Sequence, residues 1–317
     1  MVKGILGLSV LLLGALLLSD VSCWAVQDET EPTVAPSLID RTHQAISQRL
    51  AAPSIWFDHF FQDPRVDEEA AGTFIRLRGS LIVEESAGVS FDGKIKARLR
   101  LPNLNRRFHL IFSSDEDRRR DKYLVDPSLE GQPTKEKTTV ALEYTQTSRR
   151  QLNLSHRLRL DWDHGPNPQL RSRVRYSMPV AGSTLLVLTQ AVFWENQEGF
   201  GEETRIDYDI PMDATRLVRL TGNGFFSESS QGYEWLGMVQ WLQSFSRQRA
   251  LAVGSYAIGQ TRPQEEVTEY DLFARYRRQV AKPWLFIELT PELRWRREDD
   301  FNATALFTLT LEVQFGK

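Results

Sequence analysis

Two groups of residues in this 317-residue chain have types and spacings that could do chemistry. The first is a set of cations at every second position: Arg76 and Arg78, then Lys94, Lys96, Arg98 and Arg100, then Arg157 and Arg159, then Arg171, Arg173 and Arg175. Residues two apart share one face of an extended strand, so each run is a short ladder of positive charge. Ladders lining a water-filled cavity draw anions through it. Glu288, Glu292 and Glu312 come late in the chain on the matching face and are the candidate acidic partners of that wall. If the last strand closes against the first, Glu312 meets Arg76 or Arg78.

The second group is nucleophile-and-base material, and its spacing is wrong for catalysis. Ser155 and His156 are adjacent, so a strand sends them to opposite faces, where no proton can pass directly between them. His109 and His164 have no serine nearby in sequence, and Asp58-His59 is a lone pair. A non-enzyme is the expectation. Asp115, Glu116 and Asp117 offer hard oxygens to calcium, but Arg118, Arg119 and Arg120 follow at once and compete, which gives a solvated charged loop. With one cysteine and five scattered histidines there is no metal cage and no cofactor motif. A near-balanced 39 Lys+Arg against 42 Asp+Glu supplies no basic face for nucleic acid.

The elements that must hold the ladders alternate apolar and polar residues over segments of about ten residues. In 91–101, Phe91, Ile95, Ala97, Leu99 and Leu101 oppose Asp92, Lys94, Lys96, Arg98 and Arg100; in 303–315, Ala305, Phe307, Leu309, Leu311, Val313 and Phe315 oppose Thr308, Thr310, Glu312 and Gln314. The pattern predicts about fourteen strands, with twelve to sixteen allowed, because 183–195 and 214–225 alternate poorly. Connections after even-numbered segments read as short; most of those after odd-numbered ones read as longer, above all 115–134.

Ahead of the strands, Lys3, the apolar run 4–18 and the small residues Ser22, Cys23 and Ala25 describe an export signal cut after Ala25. Residues 26–72 then form an arm. Leu38, Ile39, Thr42, Ala45, Ile46 and Leu50 have helical spacing, and an aromatic piece follows that includes Trp56, Phe57, Phe60 and Phe61. Because Trp and Phe favour membrane–water boundaries, this piece reads first as an interfacial anchor and otherwise as a docking element or lumen plug, with Trp56 and Phe57 as its contact residues.

Residues 73–317 resemble a bacterial outer-membrane β-barrel of the porin-like kind, on the strand pattern, the loop asymmetry and the closing strand. In such barrels the last strand ends at an aromatic residue read by the assembly machinery. Phe315 fits, although Gly316 and Lys317 follow it. A soluble β-sandwich also alternates, but aromatic residues near the strand ends, such as Trp162, Tyr176, Trp194 and Trp295, favour a membrane girdle. The resemblance implies an all-β, antiparallel transmembrane barrel with a short N-terminal periplasmic helix, in the outer membrane. It also implies contact with lipid and lipopolysaccharide, the barrel-assembly machinery and a periplasmic partner of the arm. The expected role is passage of small anionic solutes past Arg76, Arg78, Lys96, Arg98, Arg100, Arg157, Arg159, Arg173 and Arg175. The alternatives are a closed, salt-bridged barrel serving as an anchor and, further off, a lipid hydrolase.

Overall fold

The computed structural model describes residues 52–61, 73–101, 107–114, 138–148, 151–162, 166–180 and 183–316. The export signal 1–25, the helical stretch 38–50, the charged run 115–120 and His164 lie outside the described residues. Among the described residues one α-helix, α1 (Ala52–Phe61), precedes fourteen strands: β1 (Phe74–Glu84), β2 (Gly88–Arg100), β3 (Phe108–Ser113), β4 (Thr138–Ser148), β5 (Leu152–Trp162), β6 (Pro166–Pro179), β7 (Leu185–Glu195), β8 (Gly199–Pro211), β9 (Arg216–Ser227), β10 (Tyr233–Ser246), β11 (Arg249–Gln260), β12 (Glu266–Gln279), β13 (Leu285–Arg296) and β14 (Ala303–Gly316). Every strand pairs antiparallel with its sequence neighbours, and β1 pairs with β14, so the sheet closes into a barrel. At the seam Arg78 stands opposite Glu312, and Leu77 opposite Val313.

The alternation decides which face is which. In β1, Ile75 and Leu77 are exposed, whereas Ser80, Ile82 and Glu84 are buried on the other face. Outward apolar side chains continue around the ring, including Ile95, Leu142, Leu158, Leu170, Leu188, Ile206, Leu220, Val239, Val253, Leu272, Leu293 and Leu309. A continuous apolar belt of this extent is not tolerated in water. A closed sheet satisfies its backbone hydrogen bonds internally, as a lipid-spanning structure requires. The protein is therefore an antiparallel transmembrane β-barrel. Exposed aromatic residues edge the belt, and at the end where β14 finishes the Trp284 and Phe315 rings stack 6.4 Å apart. Gly316 follows with φ +94°, and a Cβ there would stand 2.3 Å from the Thr73 carbonyl oxygen. Only glycine fits that close approach.

The expected loop asymmetry is mostly absent. The strands run further than their apolar cores suggest, so most connections at both ends have two to seven residues, and only 114–137 is long. Beside it β3 has six residues and is the shortest stave of the wall. The β8–β9 turn shows how a short connection is pinned. Asp213 accepts hydrogen bonds from Arg216 Nε and from the Thr215 amide and hydroxyl. The Arg216 bond, reinforced by those from Thr215, holds the Asp213 carboxyl well below the usual carboxylate range.

The seam makes one energetic prediction. Glu312 is buried between Arg78 Nη2 at 3.0 Å and Arg277 Nη2 at 2.9 Å. Removing one member of a buried ionic cluster costs more than the cluster itself contributes, about 3–5 kcal/mol. Glu312→Ala is expected to lower barrel stability by that amount, read as a lower urea midpoint with an unchanged slope in the unfolding transition of the detergent-folded protein.

Candidate functional site

The inner face of the barrel is where polar chemistry concentrates, and it divides into two sectors. On β12–β14 and β1 the charges neutralise one another in a chain. Arg275 Nη2 and Arg277 Nη1 donate to Glu288 Oε2 at 2.8 and 3.0 Å, and Arg277 passes on to Glu312, which also takes Arg78 and has Arg76 at 3.7 Å. Glu292 is a separate case: it takes Arg294 Nη2 at 2.7 Å, and Arg294 Nε reaches Asp271 at 3.2 Å. Thus Glu288 and Glu312 face the cations of their own sector and of β1, while Glu292 belongs with β12–β13.

On β2–β6 the arrangement differs. Arg98 Nη2 donates to Glu143 Oε1 at 2.7 Å, and Arg157 Nη2 to Glu143 Oε2 at 2.6 Å. Arg159 reaches Asp161 at 2.9 Å, Arg171 pairs with Glu203, and Arg173 is buried beside the half-buried Arg175. Lys96 and Arg100 are half-buried on the same wall. Solvent reaches the cations here, with side-chain exposures of 20% for Arg157 and 15% for Arg159. By contrast Glu143, Glu203, Asp207, Asp209, Glu269, Asp271, Glu288, Glu292 and Glu312 are all 3% exposed or less. Acids that solvent reaches are also present in the lumen, among them Asp92 and Glu195, with side-chain exposures of 15% and 13%, toward the end that carries 114–137.

The aromatic segment is not at the membrane boundary; it lies inside the barrel as α1. Pro53 occupies the first helical turn, where its missing N–H costs nothing. Phe57, Phe60 and Phe61 then fall on one side, spaced three and four apart. They pack on Leu217, Leu242, Ala250 and Ala252 of the inner wall, with Trp56 and Phe286 partly covered beside them. Phe57 is 1% exposed, and Trp56 stacks on Phe60 at 4.8 Å. Two polar contacts orient the helix. Asp58 receives Arg219 Nη2 at 2.7 Å, while Arg219 also holds Asp209. Arg275 donates to the Phe61 carbonyl at 3.1 Å, where a cation complements the helix C-terminus. The interfacial-anchor reading fails because the wall facing the helix is apolar, so the rings gain more by burial there than at a headgroup boundary.

Sequence reasoning missed Arg219, its pairing with Asp58 and the inner apolar patch. Leu217 points inward to meet α1, which makes both faces of β9 apolar at 217–218 and erases its period. The failed alternation was itself the available signal. Ser155 faces the lumen, whereas His156 lies on the outer face, within 2.9 Å of Ser172 Oγ and of Gln146 Oε1. Asp58 and His59 are likewise split, one paired and buried, the other exposed.

No protein-family model matches the chain, and no curated protein sequence matches it. Among solved structures it is similar to the outer membrane protein OpdK from Pseudomonas aeruginosa, with 9% identity and a TM-score of 0.44 over 78% of this chain and 99% of that one. It is similar to the outer membrane channel DcaP of Acinetobacter baumannii at 8% identity and 0.44, covering 77% and 96%. The KdgM porin in complex with disordered oligogalacturonate stands at 7% and 0.37, covering 76% and 99%. These values concern barrel architecture and carry nothing about solutes.

The packing of α1 is open to direct measurement. Phe57→Ala deletes a fully buried ring, a loss of about 3–5 kcal/mol. Hydrogen exchange followed by mass spectrometry is expected to show α1 amides exchanging at least about a hundredfold faster, with β9 and β13 protection unchanged.

Proposed function

We propose that the protein is an outer-membrane channel through which small anionic solutes pass by diffusion. The observation that supports this reading is the asymmetry of access in the lumen. Water reaches Arg76 and Arg157, while their acid partners Glu312 and Glu143 are buried. A passing ion responds to charges at the water boundary, and low-dielectric walls concentrate their field along the bore. The position of α1 supports the same reading, because the helix packs on the β9–β11 sector and not on the basic one. On this reading the apolar belt meets outer-membrane lipid and lipopolysaccharide. The strand ending at Phe315 is what the assembly machinery engages, and residues 1–25 are removed on export. The segment before α1 faces the periplasm and any partner there.

A second reading, a closed barrel that anchors a complex, draws support from the ion pairs spanning β12–β14 and β1 and from the helix inside. One measurement separates the two. In planar bilayers the intact protein is expected to give steady steps, with a reversal potential favouring anions under a salt gradient. Arg159→Glu combined with Arg175→Glu should shift that potential toward cations, and deletion of residues 26–70 should enlarge the steps. An unshifted potential would sink the basic-wall reading; silence from a folded protein in every form would leave the anchor.

A further inference from the structure

We infer that the outer rim at the β10–β13 turns binds the headgroup of an anionic phospholipid in the periplasmic leaflet, through Arg249 and Arg278 with Arg247 and Lys282 beside them. The inference rests on the outer-membrane reading above, in which the end where β1 begins and β14 finishes faces the periplasm, and it adds the class of lipid held there.

Arg249 opens β11 and Arg278 is the last residue but one of β12. The register sets the two directly opposite each other. Their chain neighbours Ala250 and Arg277 are fully buried on the lumen side, so both guanidinium groups belong to the outer face, and both are exposed. Like charges directly opposed on adjacent strands repel. Neither arginine makes an ion pair or a side-chain hydrogen bond among the described residues. Arg247, in the β10–β11 turn, and Lys282, between β12 and β13, are exposed beside them and equally without an acid among the described residues. The acid in the neighbouring β8–β9 turn, Asp213, is held by Arg216. An anion placed between Arg249 and Arg278 turns the repulsion into two attractions.

The surroundings identify that anion as a lipid headgroup. On the same rim Phe245 is 51% and Trp284 44% exposed, and aromatic rings of this kind sit at headgroup level. The outward residues Val253 and Leu272 continue from the two arginines into the apolar belt, where acyl chains lie. Guanidinium forks grip two phosphate oxygens at once, and exposed cations at a membrane surface favour anionic over zwitterionic lipid. The far rim of the same strands has the opposite sign. Glu265, Glu298, Asp299 and Asp300 are exposed there, and Arg297 is held by Glu266 at 3.0 Å. An anionic headgroup is therefore attracted to one rim and repelled from the other.

The test is native mass spectrometry of the full-length protein, folded in detergent and mixed with equal amounts of dioleoylphosphatidylglycerol and dioleoylphosphatidylcholine. The anionic lipid is expected to be retained at least about fivefold over the zwitterionic one, and added salt should shrink that preference, because the cations are exposed. Arg249→Gln combined with Arg278→Gln should lower retention of phosphatidylglycerol about tenfold. Arg262→Gln combined with Arg297→Gln, which removes the same charge from the far rim, should leave it unchanged, and heat-shifted gel migration checks that each variant is folded. Equal retention of the two lipids, or the same loss in both pairs of variants, overturns the site. Orientation is tested separately with Ala214→Cys, in the β8–β9 turn of the basic rim, in cells that express the protein. Labelling by a membrane-impermeant maleimide only after the outer membrane is opened supports the periplasmic leaflet. Labelling of intact cells by the same reagent, with phosphatidylglycerol selectivity retained in detergent, overturns both the orientation and the assignment to that leaflet.

Discussion

Closure of the sheet is the constraint on which everything else in this molecule depends. In lipid an unpaired strand edge leaves a row of backbone donors and acceptors without partners, at several kcal/mol each. The β1–β14 seam removes that edge. Once the ring is closed and its outside is apolar, a charged side chain has one direction left. The lumen consequently receives nearly all the ionic chemistry of the chain, whatever the lumen is used for.

Crowding so many charges inside a ring of fourteen strands forces most of them to pair. A buried ion pair offsets its desolvation only when the geometry is good and further hydrogen bonds are made. The run Arg275–Glu288–Arg277–Glu312–Arg78 meets that condition by sharing each carboxylate between two arginines. It also ties the last three strands to the first, so electrostatics reinforces closure at the seam. On the β2–β5 side the carboxylates are fewer, and part of the positive charge stays in contact with water. The difference between the two sectors follows from how acids and bases are distributed along the chain.

The helix α1 complicates a plain barrel in a consistent way. Phe57, Phe60 and Phe61 need an apolar surface, and Leu217, Leu242, Ala250 and Ala252 supply one on the lumen side. Leu217 among them breaks the alternation that announces β9 as a strand. The broken period marked the place, but its cause was unreadable without knowing that a helix lies against it. The same holds for Arg219, whose partners Asp58 and Asp209 lie 161 and 10 residues away along the chain. Short connections at both ends were misread for a related reason. Strand length in a barrel is set by pairing with neighbours, so polar residues such as Asn167 and Gly199 join strands whose apolar cores end earlier.

The sequence by itself pointed to a barrel of about fourteen strands, with twelve to sixteen allowed, and to the face on which each ladder of arginines lies. A period of two is enforced by the pleat, and lipid outside sorts the two faces without regard to tertiary detail. It also placed Glu312 on the strand that must meet β1. Tertiary structure alone decided which acid neutralises which base, that the aromatic segment lies within the bore, and that His109 stands between Arg100 and Glu143. Those are relations between residues far apart in the chain, created by register and closure, and no local pattern encodes them.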